Sequence, residues 1–191
     1  MKTFWIDLET TGLNEKRDTI IQLTALYEEN GAILDGFSSY SYPDIFPDYY
    51  EDSEKIHGLS KEFLLEKGVS EAELFVNFYE FILKYIDPYK KGDRAFIGGY
   101  KPEFDFKFLI EFFDKADEKF FPFFYTAPID ILNICALCVK LKLIKAPVNY
   151  KLISLCELFD VRLRAHDATD DIIATYKIYE KTINLLKEYN G

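Results

Sequence analysis

Residues 4–12 read Phe4-Trp5-Ile6-Asp7-Leu8-Glu9-Thr10-Thr11-Gly12, an apolar run that ends on two carboxylates one residue apart. A strand entering a core either alternates apolar and polar residues or stays apolar throughout, and this stretch does neither. Strand side chains alternate faces with period two, so Asp7 and Glu9 fall on the same side. Like charges held together repel, and a positive partner should compensate them. A hard divalent cation is the natural candidate, because such ions take oxygen ligands.

Working outward, Thr19–Tyr27 reads as a second strand rich in β-branched residues. Glu28–Gly31 ends in Asn30-Gly31, the strongest short hairpin signal, and Ala32–Tyr42 supplies a third strand. The first three strands therefore form an antiparallel meander. Pro43–Asp52, with two prolines among acids and tyrosines, reads as a loop. Ser60 and Ser70 read as helix N-caps. From Ser70 to about Ile86, Leu74, Phe75, Phe78, Phe81, Ile82 and Tyr85 recur at helical spacing. Arg94–Gly98 is a short buried strand broken by Gly98-Gly99, and Pro102 opens a helix at its first turn. A short strand near Tyr125 leads into a helix over Ile129–Leu141. Amphipathic helices follow over Asn149–Phe159 and roughly Asp167–Tyr189. Strands first, then alternating helices and strands, predict an α/β chain with a mixed sheet flanked by helices.

The 191 residues (1–191) fit one domain, and about half are hydrophobic, with 18 Phe and 14 Tyr, so a packed core is expected rather than disorder. Phe120–Val139 is apolar enough to raise a membrane span. Pro122, Pro128, Asp130 and Asn133 interrupt it, so no membrane partner is expected. The N-terminus carries acids within a short apolar stretch, unlike a cleavable signal. Three cysteines, an odd number, point to a reducing, cytoplasmic compartment. Cys135-Ala-Leu-Cys138 spells C-x-x-C, but no second pair or nearby histidine completes a zinc site, and buried free thiols are the expectation. A net charge of −10 argues against a broad basic nucleic-acid surface. It leaves room for an enzyme that takes only the end of a strand into a metal-filled pocket.

Two further stretches place acids in apolar surroundings: Asp105 within Glu103-Phe-Asp-Phe-Lys-Phe-Leu109, and Ala165-His-Asp-Ala-Thr-Asp-Asp-Ile-Ile-Ala174. On a helix, Asp171 shares its face with Ala168, Ala174, Thr175 and Ile178, whereas Asp170 lines up with Lys177 and Lys181. Asp171 is thus expected inward and Asp170 toward water. His166 lies about 140° from Asp171 if both were helical, so it works best in the preceding loop. Four carboxylates from three elements can hold two magnesium or manganese ions, a pair suited to phosphoryl transfer. A histidine proton acceptor must be His166 or His57, the only two histidines.

Asp7-x-Glu9-Thr-Thr-Gly, Phe104-Asp105 and His166-x₄-Asp171 resemble, in order and spacing, the three motifs of the DEDD-type 3′–5′ exonucleases with a histidine base. That family includes the proofreading subunit of bacterial DNA polymerase III, RNase T and oligoribonuclease. The resemblance runs from residue 3 to about residue 180, and Ile56-His57-Gly58-Leu59-Ser60 and Tyr150-Lys-Leu-Ile-Ser-Leu also match. It implies a ribonuclease H-like fold, with a five-stranded mixed sheet between helices. It implies that Asp7, Glu9 and Asp171 bind the catalytic ion, that Asp7 bridges to a second, and that Asp105 holds the second through water. His166 would be the general base. Thr10, Gly12 and the backbone around Leu13 would contact the terminal nucleotide, with Phe104 beside them, and Ile56 or His57 would wedge against its base. Many relatives carry His-Asn four to five residues before the second-motif aspartate, where this chain has Tyr100-Lys101.

The function expected is metal-dependent hydrolysis of single-stranded DNA from the 3′ end, releasing nucleoside 5′-monophosphates. The alternative is trimming of RNA or degradation of short oligoribonucleotides. A non-catalytic interaction protein on the same fold would have lost carboxylates, and all four remain. The acidic composition also leaves room for a replication, repair or RNA-processing partner that delivers the substrate.

Overall fold

The computed structural model describes residues 1–163 and 168–189. Strands β1 (Lys2–Thr10), β2 (Ile20–Glu29) and β3 (Ala32–Tyr42) form the expected meander. The β2–β3 turn closes through Asn30 and Gly31, both at positive φ (55° and 87°), as a tight hairpin requires. Next come α1 (Tyr50–His57), α2 (Lys61–Lys67), the two-residue β4 (Val69–Ser70) and α3 (Glu71–Leu83). The chain continues through β5 (Phe96–Gly99), α4 (Glu103–Lys115), β6 (Ile129–Asp130), α5 (Ile131–Lys140), α6 (Leu152–Leu158) and α7 (Ala168–Tyr189).

The sheet is mixed, as expected, and among the described residues it has six strands in the order β4-β3-β2-β1-β5-β6. The extra strand beyond the expected five belongs to short edge pairings that leave almost no periodic signal. β4 pairs parallel to β3 through Ser41 and Tyr42 alone, and β6 to β5 through Gly98 and Gly99 alone. Near Tyr125 there is only an isolated parallel bridge, Ala95 to Phe124.

The loop expected over Pro43–Asp52 holds as far as Tyr49, and helix α1 replaces its last three residues. The turn Pro47–Tyr50 closes with Tyr50 N–H on the Pro47 carbonyl (3.0 Å), and the helix starts there. Only Tyr50 and His57 of this helix are buried. They stand seven residues apart on one face, too sparse to show as periodicity. Ser60 and Ser70 cap α2 and α3 as expected, accepting from the N–H groups of Phe63 (3.1 Å) and Glu73 (3.2 Å).

Period two on β1 divides the core. Phe4, Ile6 and Leu8 pack with α3 and α4 residues such as Phe78, Phe81, Phe112 and Phe113. Trp5 points the other way, into Cys135, Leu155, Ile172 and Ile178 of α5, α6 and α7, with the Tyr179 ring 4.5 Å away. Asp7 and Glu9 fall on Trp5's side of the strand. Gly98 stands beside Trp5 on β5, where a Cβ would lie 2.7 Å from the indole. All three cysteines are buried, and burial raises each thiol pKa, so they behave as small core residues. Among the described residues no helix is long and apolar enough to cross a membrane.

Candidate active site

The site lies at the C-terminal end of β1, where the parallel neighbour runs out. β5 pairs with β1 only at Thr3, Phe4 and Trp5. Beyond that, among the described residues, the β5-side edge of β1 has no strand beside it, and the Leu8 N–H finds another acceptor, Asp105 Oδ1 at 3.1 Å. Asp105 stands in the first turn of α4 and is 5% exposed. A crevice beyond the carboxyl ends of parallel strands is where open α/β sheets take ligands.

Asp7, Glu9 and Asp105 meet Asp171 at the start of α7. Asp171 shares its helix face with Ala168, Ala174, Thr175 and Ile178, all of them buried. Lys177 and Lys181, in line with Asp170, are exposed, while Asp170 itself is half-buried rather than out in water. Burial, then the charges of Asp105, Glu9 and Asp171, hold the Asp7 carboxyl well above the usual carboxylate range. Burial and Asp171 push Glu9 up to about 7. Burial also raises Asp105, against the opposing pull of hydrogen bonds from its own backbone N–H and that of Leu8. Four acids from three elements thus share one field and oppose one another's ionisation. His166 lies outside the described residues.

Among the described residues no group of three or more histidine, cysteine or acidic side chains is placed to hold a metal ion. The donor set nonetheless fits a hard cation: every donor is a carboxylate oxygen, and the mutual repulsion is what a divalent charge would relieve.

The residues expected to touch substrate lie at the end of β1 and in the loop after it, in α1 and at the start of α4. Thr10 donates its hydroxyl to the Gly12 carbonyl (2.6 Å), which folds the chain back just after a register shift between Glu9 and Thr10. Leu13 is 84% exposed and, with Phe104, Lys101, Glu103, Glu15 and Asp130, lines a cleft of about 480 Å³. Ile56 and His57 separate sharply, at 68% and 5% exposed. His57 Nδ1 accepts the Leu59 N–H (3.0 Å), and burial pushes its pKa down to about 4. Its Nε2 is buried with no hydrogen-bond partner among the described residues. Tyr100 donates its hydroxyl to the Tyr150 carbonyl (2.6 Å), tying the loop before α4 to the loop before α6. Lys101 has φ of 52°, with its N–H on Asp130 Oδ1 (3.2 Å).

Sequence reading alone did not single out Asp18, Tyr49 or Ser53. Asp18 is 1% exposed and lies under Gly12, and nothing in a run of loop residues marks one acid as the buried one.

The RNase T family model, described as Exonuclease, matches residues 4–179. The chain belongs to this exonuclease family. The DEDD-type resemblance carried by the three motifs is borne out, and residues 4–179 are a 3′–5′ exonuclease domain by class. The chain is 28% identical to DNA polymerase III subunit epsilon of Aquifex aeolicus over 182 residues, covering 95% of this chain and 80% of that one. It is 25% identical to ribonuclease T of Haemophilus ducreyi over 196 residues, covering 97% and 86%. The fold matches the zinc-bound complex of E. coli exonuclease I with single-stranded DNA at a TM-score of 0.78 and 18% identity. That match covers 98% of this chain but 42% of the exonuclease I chain, so this chain spans about two fifths of that neighbour's length.

Proposed function

We propose that this chain hydrolyses single-stranded DNA from its 3′ end, releasing nucleoside 5′-monophosphates. The observation that carries the reading is the convergence of Asp7, Glu9, Asp105 and Asp171 on one electrostatic site, with Phe104, the neighbour of Asp105, lining an exposed cleft of mixed apolar and charged residues. These four carboxylates would hold two divalent ions, magnesium or manganese, which acidify a bound water and stabilise the attacking and leaving oxygens. His166 takes the proton of the attacking water. His57 is poorly suited to that task, since its Nδ1 already accepts a backbone N–H and burial keeps its proton affinity low. Thr10, Gly12, Leu13 and Phe104 hold the terminal nucleotide, and exposed Ile56 rather than buried His57 wedges against its base.

A second reading, action on RNA, is supported by the likeness to ribonuclease T, at an identity close to that of the epsilon subunit. The choice turns on contacts to the 2′-OH. The family resemblance and the acidic composition also favour a replication, repair or RNA-processing partner that presents the 3′ end, since a chain of net charge −10 grips long polyanions poorly.

Matched 5′-labelled single-stranded DNA and RNA oligomers, incubated with Mg²⁺, Mn²⁺ or EDTA, test this reading. A metal-dependent ladder shortening from the 3′ end, absent in Asp7→Ala, is the expected result, and the faster polymer identifies the substrate. No cleavage of either polymer under any metal would overturn it.

A further inference from the structure

Two elements that carry proposed substrate contacts are fastened together by side chains outside the catalytic motifs. One is the loop from Thr10 to Asp18, with Leu13 at its exposed tip. The other is α1, with Ile56 near its C-terminal end. Asp18 is buried between them. Its Oδ2 accepts the Asn14 N–H (2.8 Å), which closes the loop, and its Oδ1 accepts the hydroxyl of Tyr49, the residue that caps α1. The Arg17 guanidinium approaches the same carboxylate (3.6 Å) and lies over the Tyr49 ring (4.8 Å to its centre). One turn into α1, Ser53 donates its hydroxyl to the Thr11 carbonyl (2.8 Å). The loop rests directly on the carboxylate, for a Cβ at Gly12 would lie 2.5 Å from Asp18 Oδ2.

A carboxylate is a costly residue to bury, and an apolar side chain could fill the same space. What an apolar residue could not do is bond two separate elements at once, one through each oxygen. The clamp also holds Leu13 and Ile56, two large apolar side chains, out in water, where only a ligand would cover them. We propose that Asp18, with Tyr49 and Ser53, is a positioning residue that fixes α1 against the Thr10–Leu13 loop and so sets the grip on the 3′-terminal nucleotide. This rests on the exonuclease reading above. Asp18 touches no reacting atom; it acts through the two elements it joins.

Tyr49→Phe and Ser53→Ala, alone and together, test the clamp, because each removes one hydroxyl and leaves the fold otherwise filled. The readouts are kcat and KM on a 5′-labelled single-stranded DNA oligomer, binding of the same oligomer by fluorescence anisotropy in EDTA, and the thermal midpoint. Losing one hydrogen bond shifts an equilibrium by roughly tenfold or less, so the double variant should raise KM and the dissociation constant by about tenfold. Its kcat should stay within about twofold, and the two changes should be non-additive because they act on one joint. Asp18→Asn, which keeps one acceptor oxygen, should fall between wild type and the double variant. A lower midpoint with unchanged KM and dissociation constant would reduce the network to fold stability and overturn the proposal. So would a fall in kcat alone. If the wild type binds the oligomer but cuts nothing, the exonuclease reading fails while the anisotropy series still decides the clamp; if it cuts but binds too weakly to read in EDTA, KM decides the clamp; a wild type that neither binds nor cuts overturns both.

Discussion

The backbone N–H of Leu8 donates to Asp105 Oδ1 at 3.1 Å, between residues 97 positions apart in the chain. That bond joins the strand carrying Asp7 and Glu9 to the helix carrying the third acid, and it exists because β5 stops short and leaves the edge of β1 open. Asp105 thus closes the strand edge with one oxygen, and in the proposed site its other oxygen would serve the metal.

Removing it should show both. Asp105→Ala is expected to lower kcat by about a hundredfold or more, the usual cost of losing one preorganised electrostatic group. Asp105→Asn keeps an acceptor for the Leu8 N–H, so it should lose comparable activity while keeping the wild-type thermal midpoint. Steady-state kinetics and thermal melts on the two variants separate the roles. Equal midpoints for alanine and asparagine would mean the Leu8 bond contributes nothing to the fold.

The acids also predict how the metal-free protein responds to pH. Glu9 moves from an ordinary 4.5 up to about 7, and Asp7 and Asp105 move the same way. The folded state thus binds more protons than the unfolded chain between about pH 4.5 and pH 7. A raised carboxyl pKa stabilises the protonated fold, so stability from this cluster is present at low pH and falls as pH rises through that window. In EDTA the thermal midpoint should drop across it. Mn²⁺ should restore the midpoint at pH 7.5, and Glu9→Gln should flatten the slope. A midpoint that rises with pH in EDTA would contradict the repulsion.

Gly98 predicts a cost in packing rather than in chemistry. Its missing side chain leaves room for the Trp5 ring, which a Cβ would meet at 2.7 Å. Trp5 is wholly buried and cannot retreat without disturbing Tyr176 and Tyr179 on α7. Gly98→Ala should destabilise by roughly 1–3 kcal/mol, the range for overpacking a filled core. Because α7 carries Asp171, activity should fall as well. Urea denaturation gives the first figure and the oligomer assay the second.

What could be read from residues alone, and what could not, follows the range of each signal. The Asn30-Gly31 turn, the Ser60 and Ser70 caps and the shared side of Asp7 and Glu9 depend on neighbours a few residues apart, and each appears in the structure as read. The face of Asp171 was readable too, since small buried residues recur along α7 at helical spacing. α1 was not, because a polar helix with two buried residues seven apart resembles a loop. Nor was Asp18, whose partners Asn14 and Tyr49 lie on a loop and at a helix start joined only by the fold. Two-residue strands such as Val69–Ser70 exist only because a longer strand offers its edge, a fact of tertiary structure.

Ile56 and His57 adjoin in sequence, yet the structure gives them opposite environments, and their substitutions should differ accordingly. Ile56 is 68% exposed at the end of α1, so Ile56→Ala removes little from the fold. If it stacks on the terminal base, KM should rise several-fold at constant kcat, because the contact is the same in ground and transition states. His57 is 5% exposed, against the Tyr50 ring at 5.8 Å, with Nδ1 bound to the Leu59 N–H. His57→Ala opens a cavity and frees that N–H, so the thermal midpoint should fall by several degrees, in line with a loss of about 1–3 kcal/mol. Any loss of activity in it should follow the folded fraction. The pH profile offers a further check. With its pKa near 4, His57 stays neutral from pH 5.5 to pH 8, so an acidic limb near pH 6–7, where activity falls as a proton acceptor is protonated, must come from other groups. A His57→Ala enzyme that shifts that limb while remaining folded would restore this histidine as the proton acceptor.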